Sequence, residues 1–177
     1  MRPTTIPPPQ DDEYAEFHKG YIAAVAGETD GLAVLQRQRM IIDRLPQLTP
    51  EQATFRYAEG KWSVKQVIGH LADGERVVSY RLLRIARGDK TALAGFDENL
   101  FVANSNADQR PLGDLVGELA VVRDATLALV RSLDERMLSE RGIVNDWSLS
   151  ARGLVYIIAG HFAHHVNLFR DRYRLPL

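Results

Sequence analysis

The chain has 177 residues, 45% of them hydrophobic and 25% charged, with a formal net charge of -1 and no cysteine. This is enough apolar material for one compact core, while a near-neutral balance offers no bulk attraction for nucleic acid or anionic lipid. Without cysteine there is no disulfide, thiolate ligand or cysteine nucleophile, so chemistry must run on histidine, carboxylate, hydroxyl, arginine, lysine or a bound ion.

The opening stretch MRPTTIPPPQDDEY lacks the apolar segment of a secretory signal, and residues 1–13 read as a Pro-rich arm biased toward polyproline II. Charged residues interrupt every apolar run well short of the roughly 18 residues that a membrane span requires. A cytoplasmic location is therefore expected. Tyr14 to Val25 suggests a short helix or turn-rich segment, broken by GETDG at 27–31. The apolar positions Leu32, Leu35, Ile42 and Leu45 predict a first bundle helix that Pro46 stops. Residues 46–62 hold two prolines and no sustained period, so they read as a loop packed by Phe55, Tyr57 and Trp62.

Ser63 with Gln66 three residues later forms a capping-box pattern and marks the second helix. Its apolar positions, from Val64, Val67, Ile68 and Leu71 to Leu82 and Ile85, keep a helical period until Gly88 and Asp89. Residues 89–111 form a connection long enough to wall a pocket. A third helix spans Leu112 to Leu133, and 134–149 reads as a polar connection. The fourth helix runs from Ser150 to about Tyr173 through Leu154, Ile158, Phe162 and Phe169, ending before Pro176. No repeat and no strand-period segment stands out. The pattern predicts an all-α four-helix bundle with long crossover connections.

His161 and His165, four residues apart on the fourth helix, share a face with their Cβ atoms about 5 to 6 Å apart. A helical wheel puts them near Leu154 and Ile158, at the edge of the apolar arc. Neutral imidazoles buried there leave ring nitrogens unsatisfied unless something binds them, and one metal ion does so for both. The plainer alternative is a hydrogen bond from each to a backbone carbonyl or a neighbour. His70 flanks the apolar stripe of the second helix beside Gly69 and Gly74, whose small size lets another element approach. Three histidines from two facing helices match a catalytic zinc site, in which a further position stays open for water or substrate. Alone, His70 would read as a boundary histidine half in solvent.

His164 sits further from the apolar centre and is assigned either to the rim or to a place just behind the metal ligands; His18 is expected in solvent. Glu75 falls on the core face among Val64, Ile68 and Leu82, where a carboxylate must be paired. It is a candidate general base or an orienter of a metal-bound imidazole, and an ion pair with Arg123 or Arg172 is the third option. Asp73 falls on the outer, solvated face.

The runs GKWSVKQVIGHLADGERVVSYRLLRIARGD, GFDENLFV and LVYIIAGHFAHHVNLFRDRY together resemble the DinB/YfiT-like superfamily, in particular its DinB_2 branch, over about residues 20–173. The resemblance implies a four-helix bundle over residues 14–177 as one domain. It also implies a metal bound by a histidine of the second helix and an H-x-x-x-H pair of the last, here His70, His161 and His165. Relatives include thiol transferases that use bacillithiol, mycothiol or glutathione, a mycothiol-dependent maleylpyruvate isomerase, and hydrolases. The common idea is a metal that lowers the pKa of a thiol or water and presents a nucleophile.

Two functions follow as expectations. The first is a metal-dependent enzyme, a thiol-dependent S-transferase or hydrolase, acting on a small molecule with His70, His161 and His165 as ligands and Glu75 as the catalytic carboxylate. The second is a non-catalytic, metal-stabilised bundle that binds a ligand or protein partner. Both take one divalent ion, with zinc, nickel and iron all suited to three imidazoles. A low-molecular-weight thiol is the expected co-substrate, neither nucleic acid nor membrane is an expected partner, and a homodimer stays open.

Overall fold

Three of the four long helices begin on a side chain that accepts hydrogen bonds from their free N–H groups, as the physics of helix ends demands. In the computed structural model, which describes residues 5–176, the helices are α1 (Lys19–Ala24), α2 (Gly31–Ile42), α3 (Pro50–Thr54), α4 (Val64–Ala86), α5 (Glu98–Asn104), α6 (Leu112–Arg131), α7 (Glu135–Ser139) and α8 (Ala151–Asp171). Asp30 caps α2 and Ser150 caps α8, each through its side chain. Ser63 and Gln66 close a reciprocal capping box on α4, as expected, and the helix stops at Gly88, whose φ of 81° suits glycine.

The four long helices, α2, α4, α6 and α8, form the bundle. Helix α4 packs against α6 and α8, and α2 packs against the same two, so α2 and α4 face each other across a diagonal. The links from α2 to α4 and from α6 to α8 therefore cross the bundle, which is the crossover topology expected. Apolar faces fill two adjoining cores. One gathers Leu35, Leu82, Leu127 and Tyr156, while the other gathers Ile68, Leu71, Leu119, Phe162 and Phe169. Glu75 and Arg123 bridge α4 and α6 inside the bundle, both almost fully buried.

Several sequence expectations need correction. Residues 134–149 are not simply a polar connection. They hold α7 and an antiparallel hairpin, β1 (Arg141–Val144) and β2 (Trp147–Ser150). Its turn residues Asn145 and Asp146 have φ of 48° and 67°, the left-handed geometry that lets a two-residue turn follow strand twist. Four-residue strands are too short to display alternation. Residues 46–62 contain α3, capped by Thr49 and Gln52, and residues 89–111 contain α5, capped by Asp97. The first bundle helix ends at Ile42, before a separate 3-10 turn at Leu45–Gln47 that accommodates Pro46.

Residues 1–4 of the Pro-rich arm, and Leu177, lie outside the described residues. The remainder of the arm is docked. Ile6 is 3% exposed, its carbonyl accepts from the Tyr156 hydroxyl at 2.9 Å, and its N–H donates to Asp30 Oδ1 at 3.0 Å. The chain then runs along α8 at two glycines: a Cβ on Gly160 would lie 2.1 Å from the Tyr21 carbonyl oxygen, and one on Gly153 2.4 Å from that of Glu13. Only a residue without a side chain admits backbone so closely. Tyr21 is thereby held over the next turn of α8, where His161 and His164 lie.

Candidate metal centre

His70 enters from α4, and His161 and His165 from successive turns of α8. Their ring centroids form a nearly equilateral triangle, with separations of 4.9 Å for His70–His161, 5.0 Å for His70–His165 and 4.8 Å for His161–His165. One ring nitrogen from each lies within 4.8 Å of the others. Gly74 makes the approach of the two helices feasible, because a Cβ there would stand 3.1 Å from His161 Cε1. The small residue flanking His70 in the sequence thus marks where the facing imidazole rests.

Burial keeps these imidazoles neutral. It pushes His70 down to about 4, against a small opposing pull from Glu98. His161 falls to about 3, from burial first and then from the charges of His70, His164 and Arg123. His165 lies well below the ordinary histidine value for the same leading reason. Neutral imidazole is the form that donates a lone pair to a metal.

The donor set fits a divalent ion. His165 Nδ1 is buried with no hydrogen-bond partner, an orphan of the kind that structures rarely leave without cause. His70 Nε2 and His161 Nε2 stand 2.9 Å apart, a hydrogen-bonding distance, so for this pair the plainer alternative of a bond to a neighbour is met, while His165 Nδ1 is left without one. All three donors are nitrogen, which suits zinc, nickel or iron better than calcium or magnesium.

Aromatic rings brace the triad. Trp62 tilts against His70 at 4.8 Å between centroids, and Tyr21 meets His161 edge-on at 5.3 Å and His164 at 5.7 Å. Tyr21 keeps its proton, because burial and then the charge of Glu98 raise its pKa. The triad opens on a cavity of about 440 Å³ between α4, α8, the hairpin and the loop before α5. His164 lines it, half-buried.

Other expected placements turn out differently. His18 is not in solvent: it is 9% exposed and lines the cavity, because the N-terminal segment folds back onto α8. Glu75 also lines the cavity and is 4% exposed, yet both its oxygens are taken by Arg123, through Nε and Nη2 at 2.8 Å each. Of the three roles open to Glu75, the structure displays the ion pair, with Arg123 as partner and not Arg172. Gln38 Oε1 accepts from Arg123 Nη1 at 3.0 Å, and the guanidinium lies 4.9 Å from the centroid of the Phe162 ring. Asp73 is half-buried and pairs with Arg76 instead of standing free in water.

Sequence reasoning missed Tyr21, Arg81, Phe96, Glu98 and Asn145 as cavity residues. The motif GFDENLFV held part of the signal, since Asp97 caps the helix that presents Glu98.

A family model, DinB_2 of the DinB superfamily, matches residues 33–169. No curated protein matches the chain by sequence. Among solved structures, YfiT from Bacillus subtilis, described as a probable metal-dependent hydrolase with an unusual four-helix bundle topology, is similar at 18% identity and a TM-score of 0.66. That match covers 92% of this chain and 91% of YfiT. A mycothiol-dependent maleylpyruvate isomerase is similar at 16% identity and a TM-score of 0.61, over 80% of this chain and 62% of the isomerase, so this chain matches less than two thirds of that longer protein.

Proposed function

Because the chain belongs to the DinB superfamily, we propose that it is a metal-dependent enzyme acting on a small molecule, as a thiol-dependent S-transferase or as a hydrolase. The observation that carries this reading is the convergence of His70, His161 and His165 beside an open cavity. A divalent ion held by the three imidazoles supplies charge that lowers the pKa of a water or thiol and makes a nucleophile available near neutral pH. The descriptions of YfiT and of the mycothiol-dependent isomerase support the two branches of this reading.

The chain's own groups set the stage. Trp62 and Tyr21 pack on the imidazoles of His70 and His161 and hold their orientation. Tyr21, protonated at neutral pH, can donate a hydrogen bond to a developing negative charge. Glu75 acts as a positioning residue: its bidentate pair with Arg123 ties α4 to α6 one turn beyond His70, and a carboxylate so held is poorly placed to shuttle protons. Three protein ligands beside a cavity favour an open site over one closed by a further side chain.

The test is elemental analysis of protein purified without an affinity tag, followed by a screen of thiols against electrophiles and of ester and amide hydrolysis, with and without the metal found. About one ion per chain together with metal-dependent turnover supports the reading. Stoichiometric metal with no turnover in any screen favours a metal-stabilised binding bundle.

A further inference from the structure

Arg81 lines the same cavity from α4, three turns further along that helix than His70. It follows His70 by eleven residues, which returns it to the same helix face within about 20° and sets the two Cα atoms roughly 16 Å apart along the axis. Both side chains lean toward the helix N-terminus, the arginine further because it is longer, so their functional ends stand on the order of 10 Å apart. Gly74 and Val78 lie on the cavity floor between them.

Arg81 is the exception among arginines at this depth. Arg39, Arg84, Arg110, Arg123, Arg141 and Arg152 are likewise buried or half-buried, and each holds a carboxylate. No carboxylate pairs with Arg81 among the described residues. Its guanidinium gives one hydrogen bond, Nη2 to the Ala94 carbonyl at 2.6 Å, and lies 5.5 Å from the centroid of the Phe96 ring. Those contacts fix its plane and leave other N–H donors unassigned. Burial pushes its pKa down, a penalty that an arriving anion would relieve.

Two carboxylates line the same cavity, but Glu75 is held by Arg123 and Glu98 acts on His70 and Tyr21, not on Arg81, whose neighbours are uncharged. His18 lines the same cavity with its Nδ1 buried and without a partner. It falls to about 4 through burial and the charge of Arg81, so at neutral pH it offers hydrogen bonding without a second positive charge. The carboxamide of Asn145, at the hairpin turn, lies over Gly95, where a Cβ would come within 2.7 Å of Asn145 Oδ1. The loop carrying Gly95 and Phe96 is pinned to that turn, since Asn145 N–H donates to the Leu93 carbonyl at 2.9 Å.

We propose that Arg81 is the anion anchor of the cavity, binding a carboxylate or other oxyanion at one end of a substrate whose reactive group meets the histidines at the other. This rests on the metal-dependent reading above and narrows its substrate class to small molecules with an anionic group on the order of 10 Å from the reacting atom.

The test is calorimetric titration of the metal-loaded protein with 6-mercaptohexanoate and with 6-mercaptohexanol, repeated on Arg81→Met and Arg81→Lys. In the native protein the acid should bind about tenfold more tightly than the alcohol. Arg81→Met should erase that difference while leaving the alcohol's affinity unchanged, and Arg81→Lys should keep part of it. Equal affinity for acid and alcohol in the native protein, or an advantage that survives Arg81→Met, overturns the proposal. Hexanoate, hexyl phosphate and hexanol, which carry no thiol, form a second set. A preference for either anion that depends on Arg81 supports the anchor even where no thiol binds, so failure of the thiol reading would register separately. Whichever anion binds more tightly identifies the oxyanion.

Discussion

Each imidazole of the triad brings one ring nitrogen within 4.8 Å of the others, so deleting one should cost the proposed ion without costing the fold. His161→Ala should reduce bound metal from about one per chain to a small fraction and abolish metal-dependent turnover. Far-ultraviolet circular dichroism should stay native, because the apolar faces of the bundle are untouched. Unfolding of this variant would point instead to a structural metal. The depressed imidazole pKa values also set an acid limit on the metal-free protein. His70 and His161 titrate near 4 and 3 in the fold against 6.5 outside it, so the unfolded chain takes up protons first as pH falls. Their stabilisation is complete above about 6.5 and drains away on acidification toward 4, by roughly 3 kcal/mol for His70. Urea midpoints of metal-free protein at pH 7, 5.5 and 4.5 should decline in that order, and a flat profile would contradict the burial assigned to His70. The triad itself was legible in the sequence, because two of its members lie four apart on one helix and the third lies on another apolar stripe. Arg81 and Tyr21 were not, because what they face is decided by segments remote in the chain.

At the scale of elements, the junctions rest on a few residues. Removing one partner of the Glu75–Arg123 pair strands a buried charge, so Arg123→Met should destabilise by about 3 to 5 kcal/mol. Combining it with Glu75→Leu should recover much of that loss, a non-additivity that urea denaturation of the single and double variants would measure. Gly160→Ala tests the seat of α1 on α8. The new methyl group would stand where the Tyr21 carbonyl lies, so α1 must shift, at a cost of about 1 to 3 kcal/mol. Tyr21 would move with it, and metal affinity should weaken although no ligand has changed. The four long helices could be read from Ser63, Ser150, Gly88 and the apolar periods around them, since these signals are local. The hairpin could not, although Asn145 and Asp146 between two short runs were a clue that its turn requires left-handed backbone. Helices α3 and α5 are shorter than two turns and carry caps but no period.

For the whole molecule, the link that matters most joins α4 to α8. His70 and His161 are 91 residues apart in sequence, and α6 with the hairpin is threaded between them. An ion shared by these side chains would close a loop of that length in a chain that has no cysteine to do so. It would act as a reversible cross-link. Its three donors come together only after α4 and α8 have docked, so the ion should bind late and contribute little to the folding transition state. Stopped-flow kinetics should then show nearly equal refolding rates with and without metal, while unfolding slows markedly with metal present. A protein of this design would be tempered after it folds, gaining persistence from loading and losing it to a chelator while its shape stays the same.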